Sequence, residues 1–346
     1  MSSLPTLHRK IKAIISPFHE LLCSLHVLNQ PEHHPKRLQW ALDLNKKMPT
    51  PLKEVLSTLA QLTDEWLGLA DLPAHAGVSM SCAEGIQELR SLPEAELVHL
   101  MLNGKTPLST ILLWMNRSTS NASEAELRNE NGQYLVKHVK EVRKLLVDSL
   151  ETYERDFFRQ EWDYIEPWVN TAAAQFQETA YRNPEKALNT LHPRLFAENG
   201  TLSAQKAITY YYPYDQLQHV YVLPSTFIFP HLLIGGSNDF VCLPLTVDIP
   251  GLPVHEGPPA DLLRQFKALG DDTRLRILKL LWSGPHCTKQ LAPLLGISEA
   301  AVSKQLKLLS EAGLTKSERK GNYLFYTGNK EAMEQLIVIQ RQFLEQ

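Results

Sequence analysis

The sequence predicts a mainly α fold with small β-sheet elements. A large helical front domain, residues 1–255, precedes a smaller C-terminal domain, residues 256–346, in which helices are followed by a β-hairpin. Three observations predict this. Apolar residues recur at helical spacing through the first two thirds of the front domain, then give way to short apolar runs set off by turn residues. Hydrophobic residues make up 43% of the 346, enough for the front domain to build its own core. Charge is unevenly shared. Residues 258–346 carry 13 Lys plus Arg against 9 Asp plus Glu, a net +4, which leaves −7 for the rest of a chain whose total is −3. Such asymmetry suggests a nucleic-acid module attached to something that is not one.

The elements follow in order. Pro17–Leu28 reads as a helix with Leu21, Leu25 and Leu28 on one side. Leu52–Leu69 is a second helix and Pro93–Asn103 a shorter one. Ser118–Gln133, rich in Ser, Asn and Glu, reads as an exposed loop or helix start. A long helix from about Val136 to Trp168 follows, with a break expected near Pro167. In Leu195–Ala204, Glu198-Asn199-Gly200 is a hairpin turn between short strands. His219–Val222, Phe227–Leu233 and Phe240–Thr246 are further strand candidates.

The C-terminal domain opens with a helix carrying Leu262, Leu263, Phe266 and Leu269. Asp272 is placed to cap the next, whose Leu275, Leu278 and Trp282 share a side, and Ser283-Gly284-Pro285 stops it. Thr288–Leu309, TKQLAPLLGISEAAVSKQLKLL, then reads as two helices joined by a tight turn. Ala292 allows close packing, Gly296 ends the first helix and Ile297 plugs the corner. Ser298 caps the second helix and Glu299 suits its positive end. Val302, Leu306 and Leu309 face the core, leaving Ala300, Ser303, Lys304 and Lys307 outward. Leu314–Arg319, the turn Lys320-Gly321-Asn322 and Tyr323–Tyr326 form a hairpin with cations at its tip. Helices and a charged hairpin in this order make a winged helix.

LLRQFKALGDDTRLRILKLL, QLAPLLGISEAAVSKQLKLLSEAGL and RKGNYLFYTG resemble the ArsR-type winged helix-turn-helix transcriptional regulators. SPFHELLCSLHVLNQPEHHP, LHPRLFAENGTLS and VYVLPSTFIFPHL are similar to a subgroup that carries a large front domain of uncharacterised role. The resemblance implies a cytosolic homodimer that reads an imperfect inverted repeat of double-stranded DNA, with a recognition helix in the major groove and the wing along the backbone. By position, the DNA-contacting residues are Thr288, Lys289, Ser298, Ala300, Ser303, Lys304, Lys307, Arg319, Lys320, Asn322 and Tyr323. Met333, Leu336, Ile337, Phe343 and Leu344 supply a candidate dimer seam with the opening helix. Many relatives sense metal through a Cys-x-Cys pair, and this chain departs there. Cys287 stands near the first position, Lys289 occupies the second, and the terminal helix has no His or Cys.

The front domain offers three constellations. Glu32-His33-His34 presents two imidazoles and a carboxylate, but a third ligand at helical spacing is missing, so the reading takes no metal and leaves His33 and His34 as bare candidates. Tyr210-Tyr211-Tyr212 with Tyr214 either lines an effector pocket or buries one face of a strand. Trp162, Tyr164 and Trp168 belong to a core or interface face, or, for Trp162, to the same ligand site as Tyr210 and Tyr212. No phosphate loop appears, Gly235-Gly236-Ser237 being a turn, and Ser225 lacks the flanking glycines of a nucleophile elbow. The expectation is a non-enzyme without cofactors. Its front domain senses a small-molecule effector or, as the runner-up, only dimerises or docks a partner. Cys23, Cys82, Cys242 and Cys287 lack pairing spacings, which suits a reducing cytoplasm, and no segment reads as a signal peptide or membrane span.

Overall fold

The computed structural model describes residues 4–116, 130–206, 209–237, 239–251, 260–320 and 323–344. The chain divides into two compact units, Met1–Ala204 with Tyr211–Val254, and His255–Gln346 with Gln205–Tyr210. Among the described residues no helix is long and apolar enough to cross a membrane. Most of Ser118–Gln133 lies outside the described residues.

The first unit begins with α1 (Leu4–Lys10), β1 (Ile11–Ala13) and α2 (Pro17–Asn29). Ser16 caps α2 by accepting the His19 N–H, and Pro17 sits at its first position, where a missing N–H costs nothing. This helix is central: Phe18, Leu21, Leu22, Leu25 and Val27 are all buried. Around it run α3 (Leu38–Lys47), α4 (Thr50–Leu62), α5 (Leu67–Ala70), α6 (Leu72–Ala76), α7 (Cys82–Ser91), α8 (Glu94–Met101) and α9 (Leu108–Asn116). Gly85 of α7 makes room for the Phe18 ring, because a Cβ there would lie 2.2 Å from Phe18 Cγ. The expected helix over Leu52–Leu69 is instead two, α4 and α5. Asp64, Glu65 and Trp66 between them hold φ of 49, 61 and 71°, and the buried indole of Trp66 anchors this left-handed stretch in the core.

α10 (Glu130–Tyr153) and α11 (Arg159–Arg182) correct the expected Val136–Trp168 helix. The departures from α geometry fall at His138 inside α10, where φ is −122° and ψ 23°, and at the π turn Glu154–Phe158, not at Pro167, which lies inside α11. A proline inside a helix removes one hydrogen bond, and packing of Ile165 and Val169 into the core holds the helix through it.

After α12 (Pro184–Leu191) come β2 (Leu195–Glu198), β3 (Thr201–Gln205), β4 (Thr209–Pro213), β5 (His219–Ser225), β6 (Gly235–Gly236) and β7 (Phe240–Thr246). Glu198 pairs with Thr201 around Asn199 and Gly200, whose φ of 51 and 81° make the expected hairpin turn a two-residue one. A second sheet has the order β1-β5-β7-β6, with β1 and β7 both parallel to β5. β5 and most of β7 are continuously buried, the mark of strands covered on both faces. Phe227–Leu233, expected as a strand, is not one. Pro230 cannot donate to a ladder, and His231 N–H turns back to Ile228 O.

One buried polar network ties these layers. Glu20 of α2 accepts hydrogen bonds from Ser225 Oγ, Thr226 N at 2.9 Å and Thr226 Oγ1 at 3.0 Å. Arg37 donates to Thr226 Oγ1 at 2.5 Å, to Thr226 O at 3.3 Å and to Glu161 of α11 at 2.7 Å, with its guanidinium 4.1 Å from the Phe227 ring. Ser225 is thus a buried strut in this network.

The second unit contains α13 (Ala260–Leu269), α14 (Asp272–Ser283), β8 (His286–Cys287), α15 (Thr288–Leu295), α16 (Glu299–Glu311), β9 (Thr315–Lys320), β10 (Tyr323–Gly328) and α17 (Lys330–Leu344). Its core is Ile277, Leu278, Leu281, Leu291, Ala292, Leu295, Val302, Leu306, Leu309 and Leu314, closed by the antiparallel sheet β8-β10-β9. Asp271, not Asp272, caps α14 by accepting the Arg274 N–H. Ile277, Leu278 and Leu281 face inward, while Leu275 and Trp282 are exposed.

Candidate nucleic-acid interface

Three backbone devices aim α16. Gly296 ends α15 at φ 70°, a conformation that costs glycine no Cβ clash. Ile297 packs against the core at the corner. Ser298 Oγ accepts the Ala301 N–H at 3.2 Å, starting α16 cleanly. Val302, Leu306 and Leu309, each 0% exposed, then fix the rotation of the helix. The opposite face presents Ser298, Ala300, Ser303, Lys304 and Lys307 to solvent. Hydroxyls and ammoniums on one rigid face are suited to base edges and phosphates. Lys307 stands 3.8 Å from Glu311, both well exposed, a pairing too weak to hold the lysine back.

Two further groups flank this helix. Thr288 is half-buried and Lys289 exposed at the start of α15, whose N-terminal N–H groups are natural phosphate donors. Across the wing, Lys320 pairs with Tyr323 and Arg319 with Leu324, and Arg319 and Tyr323 are exposed. Asn322 lies outside the described residues. Cys287 precedes α15 as a buried residue whose N–H donates to Gln290 Oε1 at 3.0 Å, so this thiol is packed rather than presented.

Residues 271–317 match the model described as "Bacterial regulatory protein, arsR family". The chain is 35% identical over 89 residues to the "Cadmium resistance transcriptional regulatory protein CadC homolog" of Staphylococcus aureus, covering 25% of this chain and 72% of that protein. The chain belongs to the ArsR family. Its front part, residues 5–241, matches and belongs to a family of unknown function (DUF5937). The "Transcriptional repressor SdpR" of Bacillus subtilis (strain 168) is 33% identical over 72 residues, covering 21% of this chain and 80% of that protein. Among solved structures, the "ArsR-like Transcriptional Regulator from Rhodococcus sp. RHA1" is 30% identical, with a TM-score of 0.24, and covers 25% of this chain and 82% of that one. This ArsR-family chain is therefore a DNA-binding transcription regulator with a C-terminal winged helix-turn-helix domain.

The front-unit candidates are placed unequally. Tyr212 lines a cavity of about 680 Å³ together with Asp71, His75, Glu96, His99 and Gly235. Gly235 lets the backbone close on Asp71, because a Cβ there would lie 1.8 Å from Asp71 Oδ2. Burial pushes the Asp71 carboxyl up to about 7 and lowers the His75 imidazole. Tyr210 is exposed on β4, and Tyr214 is buried. Trp162 instead stacks 6.5 Å from Phe158 against the core, with Tyr164 and Trp168 exposed. His33 and His34 part company. His33 is exposed on a 3-10 turn, while His34 is buried beside His26 and His231, two residues that the sequence reading missed. His26 shares the short segment Leu25–His34 with it, a local signal; His231 is nearly 200 residues away and gave none.

Proposed function

We propose that this ArsR-family chain is a cytosolic transcriptional repressor that binds an imperfect inverted repeat of double-stranded DNA as a homodimer. In this reading its front domain, residues 1–255, senses a small-molecule effector. The observation that carries the proposal is the outward face of α16. Ser298, Ala300, Ser303, Lys304 and Lys307 project together from a helix whose other face is locked in the core. Thr288, Lys289, Arg319, Lys320, Asn322 and Tyr323 would hold the flanking backbone.

The dimer seam rests on α13 and α17, which pack on one another. Leu262, Leu269, Met333 and Leu336 of the expected seam serve the protomer's own core. Leu263 and Phe266 on α13, and Ile337 at 64% and Leu344 at 70% exposure on α17, remain for a partner. Two copies joined there would bring two recognition helices to half-sites about 34 Å apart. The repressor sign rests on relatives such as the one named for repression. The effector reading rests on the 680 Å³ cavity, whose lining mixes Tyr212, Asp71, Glu96 and two imidazoles with Leu72, Leu92, Leu100 and Ile234 and so suits a small ligand with both polar and apolar parts.

Selection of bound fragments from genomic DNA, followed by footprinting, tests the core of the proposal. A single protected inverted repeat, with half-sites one turn apart, is the expected outcome; protection of one half-site by a monomer removes the dimer. A metabolite panel against the operator complex tests the effector. If no compound shifts either DNA affinity or thermal stability of the full chain, the front domain is a scaffold.

A further inference from the structure

Three segments distant in sequence bring three imidazoles into one spot of the front unit. His26 lies in the last turn of α2, His34 follows the 3-10 turn Pro31–His33, and His231 follows the Ile228 turn beyond β5. One ring nitrogen from each lies within 4.8 Å of the others. The rings of His34 and His231 are 4.8 Å apart between centroids, and those of His26 and His34 5.0 Å.

The hydrogen bonds fix which nitrogens meet. His26 Nδ1 lies 2.9 Å from Glu65 O and His34 Nδ1 3.0 Å from Phe229 O. A carbonyl can only accept, so both Nδ1 atoms carry the proton and both Nε2 atoms carry a lone pair. The Nε2 atoms of His34 and His231 are buried and find no hydrogen-bond partner among the described residues. His34 as a whole is 1% exposed. Leaving two buried ring nitrogens without a partner costs free energy. Imidazoles oriented by backbone carbonyls through one nitrogen, with the other turned to a common point, are the arrangement that metal-binding histidines use.

We propose that His26, His34 and His231 form a binding site for a divalent transition-metal ion of the zinc class, distinct from any site on the winged helix. An all-nitrogen donor set suits zinc, cobalt or nickel and disfavours magnesium and calcium, which take oxygen. Nitrogens about 2.0–2.1 Å from a tetrahedral zinc lie roughly 3.3 Å apart, so small imidazole rotations close the triangle. Three protein ligands leave a fourth position for water or a small anion. The surroundings carry charge of both signs: Asp64, paired with Lys105 at 2.6 Å, and Glu65, held by Asn29, lie near His26, while Arg194 faces His231. Burial keeps all three imidazoles in the neutral, ligating form.

The test uses the full chain, purified and stripped with a chelator, then titrated with Zn²⁺ against a chromophoric competitor and separately with Co²⁺. The expected result is one Zn²⁺ per chain, bound at about micromolar Kd or tighter, and a Co²⁺ ligand-field spectrum of nitrogen-rich tetrahedral type. His231→Gln and His34→Gln should each weaken binding by more than the ~10–100-fold that follows loss of a group merely orienting a ligand. His219→Gln, outside the cluster, should leave it unchanged. Zn²⁺ should also raise the Tm of wild type and not that of the His231 variant. Stripped wild-type protein that binds neither ion overturns the proposal, as does undiminished stoichiometric binding by a His26→Gln/His231→Gln double variant. The wild-type titration decides the matter even if a substitution at buried His34 prevents folding.

Discussion

Replacing Lys304 by alanine should weaken operator binding far more than removing the same charge elsewhere on the winged helix. Lys304 is exposed on the outward face of α16, nearly two turns beyond the cap at Ser298, and among the described residues it has no carboxylate partner to satisfy it. A cation reaching a guanine edge is worth about 1–3 kcal/mol of discrimination. Two copies engage a symmetric operator, so the loss becomes about 2–6 kcal/mol, or roughly 30-fold to 10⁴-fold in Kd at ~1.4 kcal/mol per decade. Lys279→Ala is the matched control, since Lys279 is also exposed but lies on α14, away from the reading face. Fluorescence anisotropy with the selected operator and with a scrambled duplex, each at several salt concentrations, measures both. For Lys304→Ala the operator should lose affinity and the scrambled duplex very little. Lys320→Ala should weaken both duplexes alike and flatten the salt slope by about 0.9 for each protomer. Equal losses for Lys304→Ala and Lys279→Ala would refute the assignment of α16 as the reading helix.

Arg37→Met should destabilise the front unit by about 3–5 kcal/mol, because it leaves the carboxylate Glu161 without its guanidinium partner and removes both Arg37 hydrogen bonds to buried Thr226. Urea unfolding should show the transition of the front unit moving while that of the winged helix stays. Asp71→Asn should flatten the pH dependence of stability between about pH 4 and 7. The folded carboxyl holds its proton up to about 7. The wild-type stability from this group is therefore fully present below about 4 and lost, by up to ~4 kcal/mol, as pH rises through 7. Glu96, His99 and His75 line the same cavity and are present in both proteins, so the difference between their Tm–pH curves isolates Asp71. Ser298→Ala should cost the winged helix about 0.5–2 kcal/mol by uncapping α16, seen as a lower Tm of that transition, and should weaken DNA binding in parallel.

The winged helix was legible because its determinants are local. Gly296, Ser298 and the spacing of Val302, Leu306 and Leu309 act within one turn of themselves, and the structure places each as the sequence implied. Its errors were also local and small. Two adjacent aspartates competed for one cap, which Asp271 takes, and the buried stripe of α14 runs through Ile277 and Leu281 rather than through Leu275 and Trp282. The front unit resisted for the opposite reason. β1 is three residues long and becomes a strand only by pairing with β5, more than 200 residues away. Trp66 is held in a left-handed conformation by the core around it, which no propensity foretells. The histidine trio needs a chain reversal at Ile228 before His231 can reach His34.

The placement of Cys287 and Lys289 bears on where a signal can enter. The first is buried against α15 and the second is a cation, so a thiolate pair cannot form at the start of that helix. In the proposed reading a ligand would be recognised instead in the front unit, in the cavity at Asp71 and Tyr212 or in the cluster at His34. A ligand bound there can alter DNA affinity only by the difference between its affinities for the DNA-bound and free proteins. The coupling is reciprocal. A compound or metal ion that weakens operator binding tenfold must itself bind tenfold more weakly when operator is present. Titrating Zn²⁺ with and without saturating operator measures that factor directly. Identical zinc affinity in the two titrations would make the histidine site structural and leave the Asp71 cavity as the place to look for the input.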